Sequence, residues 1–535
     1  MKFQTTTTER KILKVLSDGL KDKILQIQTL RPNKTLIVVN PDVHREAIKI
    51  ILENFRRVGL SAITGLDSDE NIELLYHIRA EEALITIRTS LPKQKPEIGS
   101  ITDLIPGANF HEREVMDLLG VTFINHPSPK RLILPEDWPE NLFPLRKDAD
   151  LTPIKSIPPK NLAPPKMKEA KNSKNEILVK VFFGPQHPAL IEPERFSLKV
   201  DGETVMEVEP RIGYIHRGIE KAAERRTYLQ DIYLVERVCG ICNAAHAACF
   251  CQTVEALLGV NVPQRARYLR TIILELNRIH SHMLLLGHAG LEIGYETLFH
   301  YMWRDREPIM DLVELLTGNR VLTSFITIGG VRRDVKENAI SEIRRVIREL
   351  KEKLNFYREI FEDDPTFRAR TKNVGILKME DALKLCVVGP VARGSNIGID
   401  VRKDDPYAAY DEIPFKMIVR SEGDSWARFM VRLEEIDESI KIISYALDNL
   451  PSGPYRVRVP RVVPAGEAIS RVEAPRGELF YYIKSNGTAY PERVKIRTPT
   501  FANIFSFVNI ARGCNIADIP VIFSSLDPCF SCTDR

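Results

Sequence analysis

Two Cys-x-x-Cys pairs constrain this chain more than any other feature of its sequence. Cys239 and Cys242 lie in ERVCGICNAAH, and Cys529 and Cys532 lie in LDPCFSCTDR. Two intervening residues let both sulfurs of a pair reach one metal ion from a single turn. Cys529 follows Cys242 by 287 positions (529 − 242). A shared four-sulfur site would therefore join the two ends of the second half of the chain.

This spacing argues against a compact zinc knuckle, because structural zinc sites usually leave only about 15 to 20 residues between their pairs. The pattern alone leaves zinc, an iron–sulfur cluster and another thiophilic metal open. The remaining cysteines lack a partner at ligand spacing and are interpreted as buried structural thiols. They are Cys249, Cys251, Cys386 and Cys514.

Length and composition indicate a globular protein of more than one domain. A chain of 535 residues is longer than a single hydrophobic core usually accommodates. Its composition, 44% hydrophobic and 28% charged, is typical of a globular protein. No apolar run approaches the roughly 20 residues of a membrane span, and the first residues lack a secretory signal. We therefore expect a reducing cytoplasm without disulfides. The net charge of +4 does not favour a nucleic-acid partner.

The patterning predicts an α+β N-terminal domain over residues 1–148, a Pro- and Lys-rich linker over 149–176, and a mainly α-helical domain over 177–535. In the first domain, VHREAIKIILENF has helical spacing, and TLIVV, IELLYHI and ALITI are short β-rich runs. ILVKVFF predicts a strand that opens the second domain. Long helices are predicted between Val262 and Thr317, with one face of RYLRTIILELNRIHSHMLLLG buried. The last part is predicted to mix short strands and turns.

The residues around the cysteines narrow the choice of metal. Arg237-x-Cys239-Gly240-x-Cys242-x-x-x-His246, together with Asp527-Pro528-Cys529-x-x-Cys532, resembles the paired signatures of nickel–iron hydrogenase large subunits. GYIHRGIEK, RIHSHMLLLG, TIGGVRRD and EAPRGEL extend this resemblance over residues 178–535. In the first domain, HEREVMDLLGVTF, HPSPKRLILPEDW and PLRKD resemble the 30-kDa subunit of respiratory complex I, which carries no redox centre. The fusion resembles group 4 membrane-bound hydrogenases of the formate hydrogenlyase type.

The resemblance assigns unequal roles to the four cysteines. It implies a nickel–iron centre whose iron carries carbon monoxide and cyanide, with Cys239 and Cys529 terminal on nickel and Cys242 and Cys532 bridging. Soft thiolates suit both metals. Cys529 would accept the proton when hydrogen is split.

The same resemblance implies a set of residues around the metals. Arg476 in EAPRGEL would overhang them, with Pro475 beside it, and would polarise hydrogen and anchor the iron ligands. Asp527 would hold that arginine in place. His246 would donate a hydrogen bond to a cysteine sulfur, and Thr500 would bond a cyanide ligand.

A proton leaving a buried site needs a relay of groups at hydrogen-bond distance. Glu192 in HPALIEPE is the expected relay carboxylate, with Glu194 as a substitute. Glu220 in HRGIE falls where related enzymes place a metal-linked carboxylate, such as a magnesium ligand, or a relay. A salt-bridged glutamate is the alternative for Glu220.

The resemblance implies reversible hydrogen oxidation and proton reduction, with hydrogen evolution as the physiological direction. The expected partners are a small subunit with a proximal 4Fe-4S cluster, ferredoxin-like electron-transfer subunits, antiporter-like membrane subunits and formate dehydrogenase. They would place this chain on the cytoplasmic face of the membrane. Carbon monoxide and reduced ferredoxin remain open as electron sources. Because family precursors carry a C-terminal tail that is removed, we also expect the gene to encode a product longer than Arg535.

Three other interpretations compete with the hydrogenase. GPQHPA (184–189) resembles the quinone-pocket loop of the complex I 49-kDa subunit, although Ile191 replaces that loop's second histidine. The quinone enzymes lack the four metal cysteines that this chain keeps. A sulfane reductase without a complete nickel site is the second alternative, and a zinc-bound scaffold is the third.

Overall fold

The structure is a computed structural model and describes residues 6–152, 154, 170–171 and 177–535. Most of the predicted linker, 149–176, lies outside the described residues. In the part of the chain that is described, no helix has the length and apolar character needed to cross a membrane.

The N-terminal domain is a five-stranded sheet covered by helices, in agreement with the α+β prediction. Its strand order is β1-β2-β5-β4-β3, antiparallel except for β2 beside β5. The strands β6 and β7 form a separate parallel pair. The elements are α1 (Thr7–Leu20), β1 (Ile24–Arg31), β2 (Lys34–Val39), α2 (His44–Asn54), β3 (Val58–Ser68), β4 (Asn71–Ala80), β5 (Ala83–Pro92), β6 (Glu97–Gly99), α3 (Asn109–Leu119) and β7 (Thr122–Ile124). The predicted helix and all three predicted β-runs are confirmed.

The second domain begins with an antiparallel sheet and continues into long helices. The sheet has the order β11-β10-β9-β8 and contains β8 (Ala170–Lys171), β9 (Ile177–Phe183), β10 (Arg195–Asp201) and β11 (Thr204–Arg211). The helices that follow are α4 (Ile219–Ala223), α5 (Tyr228–Glu236), α6 (Asn243–Leu258), α7 (Gln264–Glu292) and α8 (Glu296–Thr317). The strand predicted for ILVKVFF and the long helices are confirmed.

The middle of this domain is helical apart from the short hairpin of β12 (Ile326–Thr327) and β13 (Gly330–Val331). Its helices are α9 (Glu337–Asp363), α10 (Pro365–Thr371), α11 (Met379–Lys384), α12 (Gly389–Arg393), α13 (Val401–Asp404) and α14 (Ser425–Asp448). The fold class predicted from the sequence is confirmed.

Helix α7 lies at the centre of the domain and is buried on all sides. The predicted face is buried, and the remaining faces, for which no burial was predicted, are buried as well, because α6, α8, α14 and α17 (Ile519–Ser525) surround the helix. Its charged residues are paired inside the core: Arg270 with Glu255 at 2.5 Å, and Arg278 with Glu275 at 3.2 Å. Pairing lets charges occupy an interior that would otherwise exclude them.

A three-stranded antiparallel sheet separates the N-terminal domain from the helical core. It consists of β14 (Gly466–Ala474), β15 (Gly477–Ser485) and β16 (Pro491–Arg497). Side chains alternate between the faces of a strand. On β15, Phe480 and Tyr482 pack against the N-terminal domain, whereas Leu479 and Tyr481 face the core that contains the four cysteines.

After this sheet the chain forms short helices, so the predicted mixture of strands and turns is wrong from Pro499 onward. The elements are α15 (Pro499–Asn503), α16 (Ser506–Ile510), α17 and α18 (Phe530–Asp534). Pro499 and Pro520 occupy the first turns of α15 and α17, where a proline costs no hydrogen bond.

Candidate metal centre

The structure brings the two Cys-x-x-Cys pairs together in the core. All four cysteines are free thiols and are at most 4% exposed. The Cys239 and Cys529 sulfurs are 3.4 Å apart, as are those of Cys242 and Cys532. Each contact therefore joins the two distant segments.

Backbone donors shape the first pair. Cys239 and Cys242 lie in the turn between α5 and α6, and the Cys239 sulfur accepts the N–H groups of Ile241 and Cys242 at 3.3 Å. The Asn243 amide donates to the carbonyls of Gly240 and Val321, at 2.8 and 2.6 Å, and fixes the turn. Such a turn aims both sulfurs at one point.

The second pair follows a strained turn. Asp527 adopts a left-handed conformation (φ 55°), which aspartate tolerates better than most residues. The Cys529 N–H donates to the Thr500 hydroxyl oxygen at 3.2 Å, and the Thr498 hydroxyl donates to the Cys532 carbonyl at 2.9 Å. Thr500 therefore positions Cys529, and its predicted contact with cyanide stays a prediction.

Arg217, which the sequence analysis missed, connects the two segments. Its guanidinium donates to the carbonyls of Arg237 and Val238 at 2.7 and 2.9 Å, and to the Ser531 carbonyl at 2.8 Å. Val238 and Ser531 immediately precede Cys239 and Cys532, and Arg237 lies one position before Val238. One planar cation thus sets the distance between the two halves of the site.

The close contacts between the thiols distribute their protons unequally. The thiols of Cys242 and Cys529 donate to the Cys239 sulfur, which lowers the pKa of Cys239. The same contacts raise the pKa values of Cys242 and Cys529, and burial raises that of Cys532.

Arg476 lies at the tip of the hairpin between β14 and β15, near the thiols of Cys239, Cys242 and Cys529. Its Nη2 forms an ion pair with Asp527 Oδ1 at 2.8 Å, and its Nε donates to the Asp527 carbonyl at 2.9 Å. Pro475 is buried in the same two-residue turn. Gly477 closes the turn at φ 128°, where a Cβ would lie 2.8 Å from the Gly389 backbone. The structure agrees with the predicted support of Arg476 by Asp527.

His246 lies beside a cysteine sulfur, and its predicted role at a metal centre stays a prediction. Its Nε2 is 3.7 Å from the Cys532 sulfur, and its Nδ1 is 2.7 Å from the Tyr481 hydroxyl. Burial lowers the pKa of His246 to about 4, so the ring is neutral near pH 7. Tyr481 was missed by sequence reasoning, although the alternation on β15 placed it on the face that carries Leu479.

Glu192 lies beside the second cysteine pair. Its carboxylate accepts the Ser531 N–H at 2.6 Å and also the Ser531 hydroxyl. Burial raises the pKa of Glu192, and the nearby Cys239 raises it further against the effect of the Ser531 N–H. Glu192 therefore lies close to the thiols, and its predicted role in proton exchange stays a prediction.

Glu194 occupies a different environment. Its carboxyl is fully buried beside the Asp534 carboxylate, which accepts the Gly213 and Ile215 N–H groups at 2.9 and 3.1 Å. Burial, together with Asp534, raises the pKa of Glu194 to about 12. Glu194 is therefore protonated at neutral pH and cannot serve as a proton acceptor there.

Glu220 does not lie among metal ligands. Its carboxylate pairs with Arg493 at 2.7 Å, Lys495 at 3.6 Å and Arg535 at 3.4 Å. Burial opposes the charge of Glu220, but these three cations outweigh it and lower its pKa. A magnesium ion would have to displace them, so the interpretation of Glu220 as a metal ligand is corrected to that of a salt-bridged anchor.

The residues fit a thiophilic metal group. Two sulfurs bound at about 2.3 Å to one ion lie roughly 3.3 to 3.8 Å apart, depending on the angle between them. Both cross-segment contacts, at 3.4 Å, fall in this range. Arg476 Nη1 is buried without a hydrogen-bond partner in the described part of the chain. A buried, unpaired N–H of a cation calls for a negatively charged or polar group in the site.

Comparisons with known proteins extend these observations. The family "Respiratory-chain NADH dehydrogenase, 30 Kd subunit" matches residues 37–155, and its 49 Kd counterpart matches 292–463 and 460–535. The family "Nickel-dependent hydrogenase" matches residues 217–289. The match to this last family covers the first cysteine pair.

Two relatives and one solved structure illustrate the different kinds of protein to which this chain is similar. The fused C/D polypeptide of NADH-quinone oxidoreductase from Phocaeicola vulgatus is 36% identical over 508 residues, which cover 91% of this chain and 96% of the relative. Formate hydrogenlyase subunit 5 of Escherichia coli is 36% identical over 453 residues, covering 84% and 79%. A solved structure of a membrane-bound sulfane sulfur reductase, an archaeal respiratory membrane complex, is 35% identical. It has a TM-score of 0.65 and covers 67% of this chain and 98% of that chain.

Proposed function

We propose that this chain, which belongs to the complex I 30-kDa and 49-kDa subunit family and to its hydrogenase-related branch, is the catalytic subunit of a nickel–iron hydrogenase. The reaction is the reversible conversion of two protons and two electrons into hydrogen. Its physiological direction is hydrogen evolution in a formate hydrogenlyase-type complex. The observation that carries the proposal is the convergence of four buried thiols near Arg476.

The chain would hold the metals through sulfur alone. Cys239 and Cys529 would be terminal ligands of nickel, and Cys242 and Cys532 would bridge nickel to an iron that carries carbon monoxide and cyanide. The sulfur contacts join the two proposed terminal ligands and the two proposed bridges. When bound, this centre supplies the two-electron redox chemistry of the reaction.

The residues around the centre would bind and orient its ligands. Arg476 Nη1 has no hydrogen-bond partner among the described residues, and a fixed cation near the thiols would polarise hydrogen and balance the charge of the cyanide ligands. Pro475 fixes the turn that presents it, and Thr500 contributes a hydroxyl group beside Cys529. Neutral His246 would donate from Nε2 to the Cys532 sulfur.

Protons leave by way of Cys529 and Glu192. The Cys529 sulfur would hold the proton released by hydrogen, and Glu192, which the Ser531 N–H holds beside this segment, would exchange it. A carboxyl with a raised pKa suits this role, because it takes up a proton more readily than an exposed glutamate.

The partners are proposed from the same relationship. Electrons would arrive through a small subunit with a proximal 4Fe-4S cluster and through ferredoxin-like subunits. Antiporter-like membrane subunits would couple the reaction to ion transport and hold this chain on the cytoplasmic membrane face. Formate dehydrogenase is the proposed electron donor.

The second candidate is a quinone or sulfane reductase module without nickel–iron catalysis. It is favoured by the NADH-quinone relative that matches nearly the whole chain and by the similarity to the sulfane sulfur reductase structure. The four converging cysteines favour the hydrogenase, because quinone or sulfane reduction alone does not need a four-thiol site.

Metal analysis of the complex purified from its host under anaerobic conditions tests the proposal. We expect nickel and iron together, infrared bands from carbon monoxide and cyanide, and hydrogen–deuterium exchange activity. Cys242→Ser should remove nickel and this activity. The control Cys249→Ser should remove neither, because Cys249 is a buried thiol that donates only to the Ser470 and Leu479 carbonyls.

A wild-type complex that contains zinc alone, or no metal, would refute the proposal, and quinone- or sulfane-dependent activity in such a complex would favour the second candidate. In the nickel-loaded complex, comparison of formate, carbon monoxide and reduced ferredoxin as electron sources for hydrogen release identifies the donor.

A further inference from the structure

In the HEREVMD segment of helix α3, one of the three acidic residues forms its ion pairs with the second domain. Glu112 accepts the Ile101 N–H at 2.7 Å, and Asp117 accepts the Leu132 and Ile133 N–H groups at 2.8 Å. Both acids therefore stabilise the N-terminal domain itself. Glu114 instead contacts Lys495 at 2.5 Å and forms an ion pair with Arg535, two residues of the second domain.

Arg535 lies three positions after Cys532. Its guanidinium forms ion pairs with Glu114 and Glu220, and its Nη1 donates a hydrogen bond to the Thr533 carbonyl at 2.8 Å. The guanidinium also stacks 4.8 Å from the ring centre of Phe501. The short helix α18, which contains Cys532, is thus held at its end by a residue of the N-terminal domain.

The charges around Arg535 form a closed cluster. Glu114 and Glu220 face Arg493, Lys495 and Arg535, and every side chain is at most 6% exposed. Removing one partner of a buried ion pair is costly, because the other charge stays buried without compensation. Without Glu114, a single carboxylate would face three cations. Arg535 would then be repelled by Arg493 and Lys495, and it borders a small cavity beside Leu118 and Leu145.

We propose that Glu114 is a positioning residue through which the N-terminal domain holds the Cys529–Cys532 segment in its metal-binding geometry. This inference rests on the proposed function, since it assigns the four thiols to a metal. It gives the N-terminal domain, which carries no ligand of its own, a role in the geometry of the metal centre.

The test uses cobalt(II) as a probe of the four-thiol geometry. The full-length metal-free protein is titrated with cobalt, and thiolate-to-cobalt absorption is measured for wild type, Glu114→Gln and a control. Glu467→Gln is the matched control, because Glu467 also pairs across the domain boundary, with Arg88 at 2.6 Å, and Arg88 keeps Glu73 as a second carboxylate. Glu467 lies at the opposite end of β14 from Arg476, roughly 23 Å along the strand.

We expect Glu114→Gln to weaken cobalt binding about 10-fold or more, as is typical when the support of a metal ligand is lost, and Glu467→Gln to bind like wild type. Melting temperatures separate positioning from unfolding. If Glu114→Gln does not fold, Glu114→Asp keeps the charge, shortens the reach and should still weaken binding. In an Arg535→Gln background, Glu114→Gln should add no further loss.

Wild-type cobalt affinity in the Glu114 variants overturns the inference. So does an equal loss in Glu467→Gln, or a full additional loss in the Arg535→Gln background. The nickel content of the native complex decides the proposed function separately. A nickel-free native complex whose metal-free chain still shows the Glu114 effect would refute the hydrogenase and retain the positioning role.

Discussion

Arg476 and Asp527 form a buried ion pair of 2.8 Å between a hairpin tip and the turn that leads into Cys529. Both side chains are only 2% exposed, and the arginine also donates to the Asp527 carbonyl. The pair therefore fixes the cation and the second cysteine segment to each other. The left-handed backbone of Asp527 turns the chain so that its side chain and its carbonyl both face the arginine.

Replacing Arg476 by lysine keeps the charge but removes the planar fork. The single lysine nitrogen cannot occupy the separate positions of Nη2, Nε and the unpaired Nη1 at the same time. We expect hydrogen–deuterium exchange to fall about 100-fold, as for other losses of an oriented donor in an active site. Nickel and iron content should stay at wild-type levels. Near-normal exchange in a fully loaded Arg476→Lys enzyme would remove Arg476 from the catalytic residues.

Replacing Asp527 by asparagine should affect stability more than Arg476→Lys does. It leaves Arg476, and Arg432 at 3.8 Å, without their shared carboxylate in a buried site. We expect a loss of about 3 to 5 kcal/mol in the free energy of unfolding, measured by urea denaturation. The control is Asp518→Asn, whose partner Arg370 is 34% exposed, and it should cost about 1 kcal/mol or less. Equal costs for the two variants would contradict this account.

The sequence predicted the elements that depend on local pattern. Helix α2, strands β2, β4, β5 and β9, and the joining of the two cysteine pairs all follow from periodicity or ligand spacing. The burial of α7 on all sides could not be predicted this way. Charged residues such as Arg270, Glu275 and Arg278 normally indicate a solvent-exposed face when their buried partners are not known. Only the tertiary fold shows that each of these charges is paired.

Near the metal centre, too, contacts between residues distant in sequence could not be predicted. Arg217 acts through backbone carbonyls, which leave no trace in side-chain spacing. Glu220 was misread because its three cations come from positions more than 270 residues away. One signal was present in the sequence: Arg493, Lys495 and Arg497 recur at every second residue, which on a strand places three cations on one face. Such a face needs carboxylate partners when it is buried.

Replacing Glu192 by glutamine should slow proton transfer without affecting metal loading. The amide can keep a contact with Ser531 but cannot exchange a proton. We expect hydrogen evolution to fall about 100-fold with an increased solvent deuterium isotope effect, while metal content stays unchanged. Ser531→Ala keeps the N–H that binds Glu192 and should slow turnover less. Unchanged turnover in Glu192→Gln would exclude this residue from the proton path.

Glu194→Gln should instead stabilise the protein at neutral pH. The folded state holds the Glu194 proton up to about pH 12, whereas the unfolded chain releases it near the ordinary value of 4.5. The folded state therefore binds one more proton between these values, and its stability falls by about 1.4 kcal/mol per pH unit above 4.5. At pH 7 this amounts to roughly 3 kcal/mol.

Glutamine resembles the protonated carboxyl and does not titrate, so the variant escapes this loss. We expect its free energy of unfolding to equal or exceed that of wild type at pH 7, with a difference that grows as pH rises from 5 to 8. Hydrogen evolution should be nearly unchanged, in contrast to Glu192→Gln, because a carboxyl that never loses its proton cannot relay one. A stability difference that is independent of pH would show that Glu194 is ionised in the folded protein, and lost turnover would move the relay from Glu192 to Glu194.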